Sequence, residues 1–471
     1  MSDASKPDVA RAEVAVLVLL SVVAWAVRVS PYFRATGVLG WAVDFDEGVY
    51  LSASALLWQG VLPWRDFVFV HPPAVPVLLS FATAWDVTAS RSLEVARWGV
   101  TLVGAFDVLL AALLVRRHAG FVGACVTAGL LAVWPEVVAC DRGVHLEPFL
   151  TAACLLSMWK LDHDRPRVLS AGLWLGVALL VKSWAVLWLA AWLVARGRRA
   201  LPGVVVAVVL ASAVMLPIAV LVPDFISQVV WLHVVRAPDG DESLLVRLRE
   251  MFVARSVVPL VLLAVSASAL WRRRSDPFFR QLLAVSLLLV AAFLSAAAFW
   301  NQYDAHLAFP LALLCGVGVS ERWSALPERF AHPMAGLVAA LLVAIPGFVW
   351  VRDRRFDQDD QQPGRVALIR ATPPGPMCAF EPHELVMADR WPAPLKGTKT
   401  LVDSYGQMLL DAARGGARYP SATAAFSSDA AQATIREQLP ACPKWVVGWR
   451  GRWQLNAGSQ ALLRPEQVVD P

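Results

Sequence analysis

Long apolar windows alternate with short polar loops along most of this chain. Residues 14–33 carry a single Arg, and residues 204–222 and 331–351 are almost free of charge. Windows of roughly 20 such residues match the hydrocarbon thickness of a bilayer, about 30 Å. Taken with the loops between them, the pattern predicts helices near 12–33, 93–115, 120–139, 146–160, 168–182, 184–196, 201–222, 255–271, 279–300, 307–320 and 334–351. A further apolar stretch, 72–86, opens on two prolines and is short. It is read as a juxtamembrane helix lying within the interface, inside a long first loop over 34–92.

The basic loops orient this set. Arg116-Arg117, 160–167, 196–199, 272–280 and 322–329 are rich in Arg and Lys, and all five fall on one side if 72–86 is not a span. Placing them in the cytoplasm gives an all-α polytopic protein of about eleven transmembrane helices, N-terminus inside and C-terminus outside. Composition agrees: 58% of the 471 residues are hydrophobic, 17% are charged, and mean hydropathy is +0.56. Soluble domains hold about 25% charged residues. The net charge of +5 resides in these loops, with no basic stripe interleaved with aromatics, so no nucleic-acid partner is expected. Residues 14–27 run into Arg28 without a small-residue cleavage pattern, so the first helix is read as uncleaved.

Past Val351 the texture changes. The stretch 352–364 is charged and linker-like, and 365–471 alternates short apolar and helical patterns at 376–380, 404–413, 429–439 and 444–449. This divides the chain into a membrane domain, 1–351, and a small extracytoplasmic α/β domain, 352–471. Outside the cytoplasm, Cys378 and Cys442 form a pair open to oxidation. No internal repeat is present.

With this topology the outer face collects Asp44, Asp46, Glu47, Arg65, Asp66, His71, Asp141, Arg142, His145, Glu147, Lys182, His233, Arg236, Asp304 and His306, with Tyr32, Tyr50 and Tyr303. Carboxylates at a lipid boundary are costly unless paired, hydrated or metal-bound. Asp46 and Glu47 with Tyr50 on one side of a helical turn suit a general base or a divalent-metal ligand. They equally suit first-turn acids of a helix capped by Asp44. Trp64-Arg65-Asp66-Phe67 reads alone as a local ion pair. Lys182 ends the apolar run GVALLVKSWAV and needs an anion: a lipid phosphate, a carboxylate of another helix, or the interface reached by snorkelling. His71, His145, His233 and His306 could bind a metal together with carboxylates, and each alone fits a hydrogen-bonded interface residue. Asp141–Pro148, DRGVHLEP, reads as a capped helix junction.

The stretch 46–73, DEGVYLSASALLWQGVLPWRDFVFVHPP, resembles the first outer loop of the glycosyltransferase C superfamily, in its protein-mannosyltransferase and aminoarabinose-transferase-like branch (glycosyltransferase 39/83-like). The marks of that branch are an acidic Asp-Glu-x-x-Tyr start, a G-x-x-x-Y-x-D-F middle, in which Trp64 here replaces the Tyr, and a Pro-Pro end. HLEP, GLWLGVALLVKS, WLHVVR and QYDAHLAFP follow in the order of similar family segments. Val181 and Ser183 depart from the family's T-K-G. The resemblance spans about residues 10–320 and leaves 365–471 unmatched.

The resemblance implies a plasma-membrane glycosyltransferase, hexosyl- or pentosyl-transferring. It would move a sugar from a polyprenyl-phosphate-linked donor to a lipid, glycan or protein acceptor outside the cytoplasm, with inversion. It maps the catalytic aspartate onto Asp46, with Glu47 and Asp44 beside it. The donor-phosphate cation falls on Lys182, with Arg65 and Arg142 as further cations. A divalent-metal site falls on His71 and His233, and Tyr50, Glu147, Tyr303 and His306 are further site candidates. The rival readings are a transporter or flippase and an O-antigen ligase-like protein; a non-catalytic assembly role is a third. A transporter favours charges at mid-membrane and internal repeats, whereas here the charges gather at one face.

Overall fold

The computed structural model describes residues 6–33, 37–40, 44–85, 88–162, 166–239, 243–249, 251, 257–325 and 362–469. The helix expected at 334–351 lies outside them. The described residues are mostly helical. Five of their helical stretches are long and apolar enough to cross a membrane: Arg11–Phe33, Ala89–Val133, Ala185–Leu221, Pro277–Ser295 and Gln302–Trp323. The chain separates into two compact units, 1–34, 98–211 and 243–356 in one, and 35–97, 212–242 and 357–471 in the other.

The first unit is built from α1 (Lys6–Val29), most of α5 (Ala89–Val133), α6 (Pro135–Arg142), α7 (Glu147–Leu161), α8 (Val168–Val181), α9 (Ala185–Arg196), the first half of α10 (Leu201–Leu221), and α12 (Leu244–Leu248) to α15. Here α13 is Val257–Arg272, α14 Pro277–Ser295 and α15 Asn301–Trp323. The two helices expected at 93–115 and 120–139 are joined in α5, which breaks at Gly120, where φ is +75°. Only glycine reaches that region cheaply. The predicted 120–139 helix ends early because Pro135 lacks the amide that would continue the ladder and instead opens α6. Helix α7 packs on α8, α9 on α14, and α15 on α6, α13 and α14.

Helix α10 is apolar all round. Gly203, Ala207 and Ala211 are buried while Val205, Val208, Val209, Leu216 and Val220 are exposed. Such a surface suits hydrocarbon rather than water. Some of the buried charges of this unit are paired. The Arg28 Nε donates to Asp141 at 2.7 Å, and its other nitrogens donate to the carbonyls of Ala24 and Leu131, tying α1 to α5 and α6.

The second unit holds α2 (Phe45–Trp58), α3 (Ala74–Leu78), α4 (Ser80–Thr83), α11 (Leu232–Val235), and the C-terminal helices α16 (Gln362–Ala371), α17 (Pro382–Met387), α18 (Ser404–Arg414), α19 (Ala422–Phe426), α20 (Asp429–Ala441), α21 (Gly448–Gln454) and α22 (Ala457–Gln460). The juxtamembrane helix expected over 72–86 is two short pieces, α3 and α4, pinned to α2 by Ser54, whose hydroxyl lies 2.7 Å from both the Pro76 carbonyl and the Thr83 hydroxyl.

In the C-terminal segment, β1 (Cys378–Ala379), β2 (Trp445–Val446) and β3 (Val468–Val469) form a parallel sheet in the order β1-β2-β3, pairing Cys378 with Trp445 and Trp445 with Val468. Helices α18 and α20 fall on the runs predicted at 404–413 and 429–439. The run 444–449 is strand only at β2, before Gly448 opens α21. Cys378 and Cys442 are joined by a disulfide. One core holds Phe380, Met408, Ile435 and Trp445 together with Val68 and Leu232, so the first loop and the C-terminal segment fold as one body.

Candidate functional site

Helix α2 begins where the sequence placed its acids. Asp44 is the N-cap: its carboxylate accepts from the Asp46 amide at 3.3 Å, and its own amide donates to Glu47 Oε2 at 3.0 Å, closing a capping box. Glu47 is also buried against Arg97, whose Nε and Nη2 donate to its two carboxylate oxygens at 2.9 and 2.6 Å. Such a two-pronged pair holds a carboxylate rigidly. Two of the three acids therefore build the turn. The half-buried Asp46 is the third, and the Tyr50 hydroxyl donates to its Oδ2 at 3.3 Å.

Tyr50 has one proton to give. With that proton on Asp46, His71 Nε2, 3.3 Å from the same hydroxyl, is the donor to it. A line from His71 through Tyr50 thus ends on the Asp46 carboxylate. The loop after α2 carries His71 into place through Trp64, which sits at φ +65°, costly for an aromatic residue. Three contacts hold that conformation. Its indole donates to the His71 carbonyl at 3.2 Å, its carbonyl accepts from Gln228 at 2.8 Å, and its ring meets Phe225 edge-on. His233, exposed, has Nε2 2.9 Å from the Val70 carbonyl, and must donate there because a carbonyl only accepts. Arg65 is exposed and paired with Asp66 at 2.8 Å, a hydrogen bond that holds the Asp66 carboxyl below its usual range.

The remaining predicted residues belong to the first unit. Lys182, just past α8, is buried and bonded to Glu147, the first residue of α7, with its ammonium 4.8 Å from the centre of the Tyr303 ring. Of the anions considered for this lysine, the structure supplies the carboxylate of another helix. The Arg142 guanidinium donates to the carbonyls of Arg28 and Val27 at 3.1 and 2.9 Å, closing the C-terminal end of α1. His306 is buried between Trp188 and Thr151: the indole donates to Nε2 at 2.8 Å, which leaves Nδ1 as donor to the threonine hydroxyl at 3.0 Å. That fixes a neutral imidazole with no nitrogen left for a ligand.

Among the described residues, one group offers metal ligands. Cys140 Sγ, His145 nitrogen and a Glu147 oxygen, all buried, lie within 4.8 Å of one another, and His145 Nδ1 has no hydrogen-bond partner among the described residues. Thiolate, imidazole and carboxylate form a zinc-type donor set.

Sequence reasoning passed over Arg97, although a lone arginine in the apolar run EVARWGV signals a buried carboxylate partner. It also missed Gln228 and Arg450, which no local pattern marks.

No protein-family model matches the sequence, and no curated protein matches it. Solved structures do. ArnT from Cupriavidus metallidurans bound to undecaprenyl phosphate is similar at a TM-score of 0.59 and 15% identity, over 80% of this chain and 85% of that one. Its apo state gives 0.58 and 16%, over 82% and 86%. The Archaeoglobus fulgidus oligosaccharyltransferase in complex with zinc and sulfate gives 0.57 and 13%, over 81% of this chain and 63% of that one. The chain shares the fold of these proteins.

Proposed function

We propose that this protein is a membrane glycosyltransferase that moves a sugar from a polyprenyl-phosphate donor to an acceptor hydroxyl outside the cytoplasm. The observation that carries the reading is the division of labour at the start of α2, on a fold shared with a protein bound to undecaprenyl phosphate. Asp44 and Glu47 hold the turn, and Asp46 is the carboxylate presented from it.

In the reaction, Asp46 takes the proton of the acceptor hydroxyl as its oxygen bonds to the anomeric carbon. The bond from that carbon to the phosphate oxygen breaks, its electron pair leaves on the polyprenyl phosphate, and the anomeric configuration inverts. Tyr50 and His71 aim the carboxylate. Lys182 is the cation for the leaving phosphate, with Glu147 holding it in the resting protein; Arg65 and Arg142 are already engaged elsewhere.

A divalent ion, where one is used, is better held by Cys140, His145 and Glu147 than by His71 and His233, whose Nε2 atoms are both engaged in hydrogen bonds. Such an ion supplies charge against phosphate oxygens. Metal content by mass spectrometry, falling in Cys140→Ser and unchanged in His233→Ala, tests that assignment.

The eleven-span topology, with an extracytoplasmic C-terminal segment 352–471 in the cell membrane, belongs to the same reading. The Cys378–Cys442 bridge supports an oxidising compartment for it. Cysteines introduced at 273 and 430 test it: a membrane-impermeant reagent should label 430 and not 273 in intact cells, and the reverse pattern overturns the topology. For the chemistry, Asp46→Asn should remain folded and lose donor turnover; near-normal turnover refutes the base.

A further inference from the structure

The C-terminal segment reaches the turn that presents Asp46. Helix α17 lies so close to α2 that a Cβ on Gly48 would overlap the His383 backbone nitrogen. From α21, the Arg450 side chain extends over the ring of Phe45, its guanidinium carbon 4.0 Å from the ring centre and 5.7 Å from that of Tyr405. Phe45 stands between Asp44 and Asp46 in sequence.

Aromatic faces hold a cation without using its N–H groups. Arg450 shows the consequence. Its guanidinium makes no hydrogen bond or ion pair among the described residues, and its Nε is buried with no partner. Only the Arg450 backbone amide is engaged, on Glu381 Oε2 at 3.4 Å. The neighbouring charged groups make their hydrogen bonds to others, although the Arg450 charge still acts on Asp403. Asp403 accepts from the Gly406 amide at 2.7 Å, Arg236 and Tyr405 are both bonded to Asp239, and Glu384 is paired with Arg365 at 2.5 Å. A buried donor without an acceptor is costly to keep, and a guanidinium fixed by stacking is preset to grip a planar or tetrahedral anion through two parallel hydrogen bonds.

We propose that Arg450 is a phosphate-binding residue supplied by the C-terminal segment to the Asp46 turn, recognising a phosphate group on one of the two substrates. The ligand class rests on the glycosyl-transfer reading. Two sources share this chemistry, the phosphate of a polyprenyl-phosphate donor and a phosphate on the acceptor.

Binding to the purified full-length protein, measured by titration calorimetry without turnover, separates them. For a donor phosphate, the wild-type protein should bind undecaprenyl phosphate at least about tenfold more tightly than undecaprenol, and Arg450→Gln should erase that preference. For an acceptor phosphate, Arg450→Gln should keep the preference and lose about tenfold or more in affinity for glucose 1-phosphate. Should Arg450→Gln lose its melting transition, Arg450→Lys carries the test, with a several-fold loss expected because the ammonium lacks the two-pronged geometry. Unchanged affinities in both arms, or a wild-type protein that binds neither probe, overturn the proposal. A protein that binds phosphate through Arg450 but transfers no sugar contradicts the transferase reading and leaves this proposal standing.

Discussion

At the start of α2, Asp44 and Glu47 serve a cap and Arg97, and Asp46 accepts from the Tyr50 hydroxyl, which also meets His71. At the start of α7, Glu147 is buried and bonded to Lys182, with Cys140 and His145 beside it. The residue types are similar and the outcomes differ. In the first region the fixed ion pair lies behind the presented acid and sets its position. In the second the ion pair is itself the candidate machinery, so its charge is silent until a ligand competes for Lys182. A carboxylate held by a preset turn is ready for proton transfer, whereas a cation held by a carboxylate is a reserve for an anion.

Substitutions sharpen this contrast. The largest effect is expected at Asp46: Asp46→Asn should reduce transfer roughly 10²–10⁴-fold, the usual range for a general base, with the melting temperature unchanged. Glu47→Gln should show the opposite balance. It leaves Arg97 buried without its counter-charge, so unfolding free energy should fall by about 3 kcal/mol or more in a denaturant titration. Equal stability in the two variants would erase the distinction between presented and supporting acid.

In the second region both effects should coincide. Lys182→Met strands Glu147, at about 3–5 kcal/mol, and lowers kcat. Adding Glu147→Gln should restore most of the stability and none of the rate. A double variant with wild-type turnover places the phosphate cation elsewhere.

Replacing both Cys378 and Cys442 by Ser opens a loop with a sequence separation of 64, which should lower the stability of the C-terminal segment by about 2–4 kcal/mol. Unfolding followed by Trp453 fluorescence reads this.

The smallest effect is with pH. Burial raises the Asp403 and Asp411 carboxyls to about 6. An acid raised on folding binds its proton more tightly in the folded chain, so stability is highest below the unfolded value near 4 and declines as pH rises towards about 6. Asp403→Asn keeps the cap on α18 and should flatten that decline; an unchanged slope would assign it to other groups.

Much of this was legible in the sequence because lipid imposes a simple code. Apolar length set where α1, α8, α9 and α10 run, and Asp44 ahead of two acids was one of two readings, a cap or a functional cluster. The breaks were harder. Gly120 and Pro135 divide helices by backbone geometry that hydropathy does not register, and two-residue strands such as β2 carry no periodicity to detect. The need of Lys182 for an anion was readable, but the identity of its partner depends on α7 folding against α8. Trp64 in a left-handed conformation and Arg450 over Phe45 depend on contacts between segments far apart in the chain, so no local pattern announces them.

Transfer itself decides whether Asp46 acts as the base. The purified protein in lipid vesicles is given a polyprenyl-phosphate donor radiolabelled in its sugar, together with an envelope lipid extract as acceptor. Label should leave the polyprenyl phosphate and enter the extract with the wild-type protein, and stay on the donor with Asp46→Asn. Label that stays on the donor with the wild-type protein, or moves equally with both, would contradict that role for Asp46.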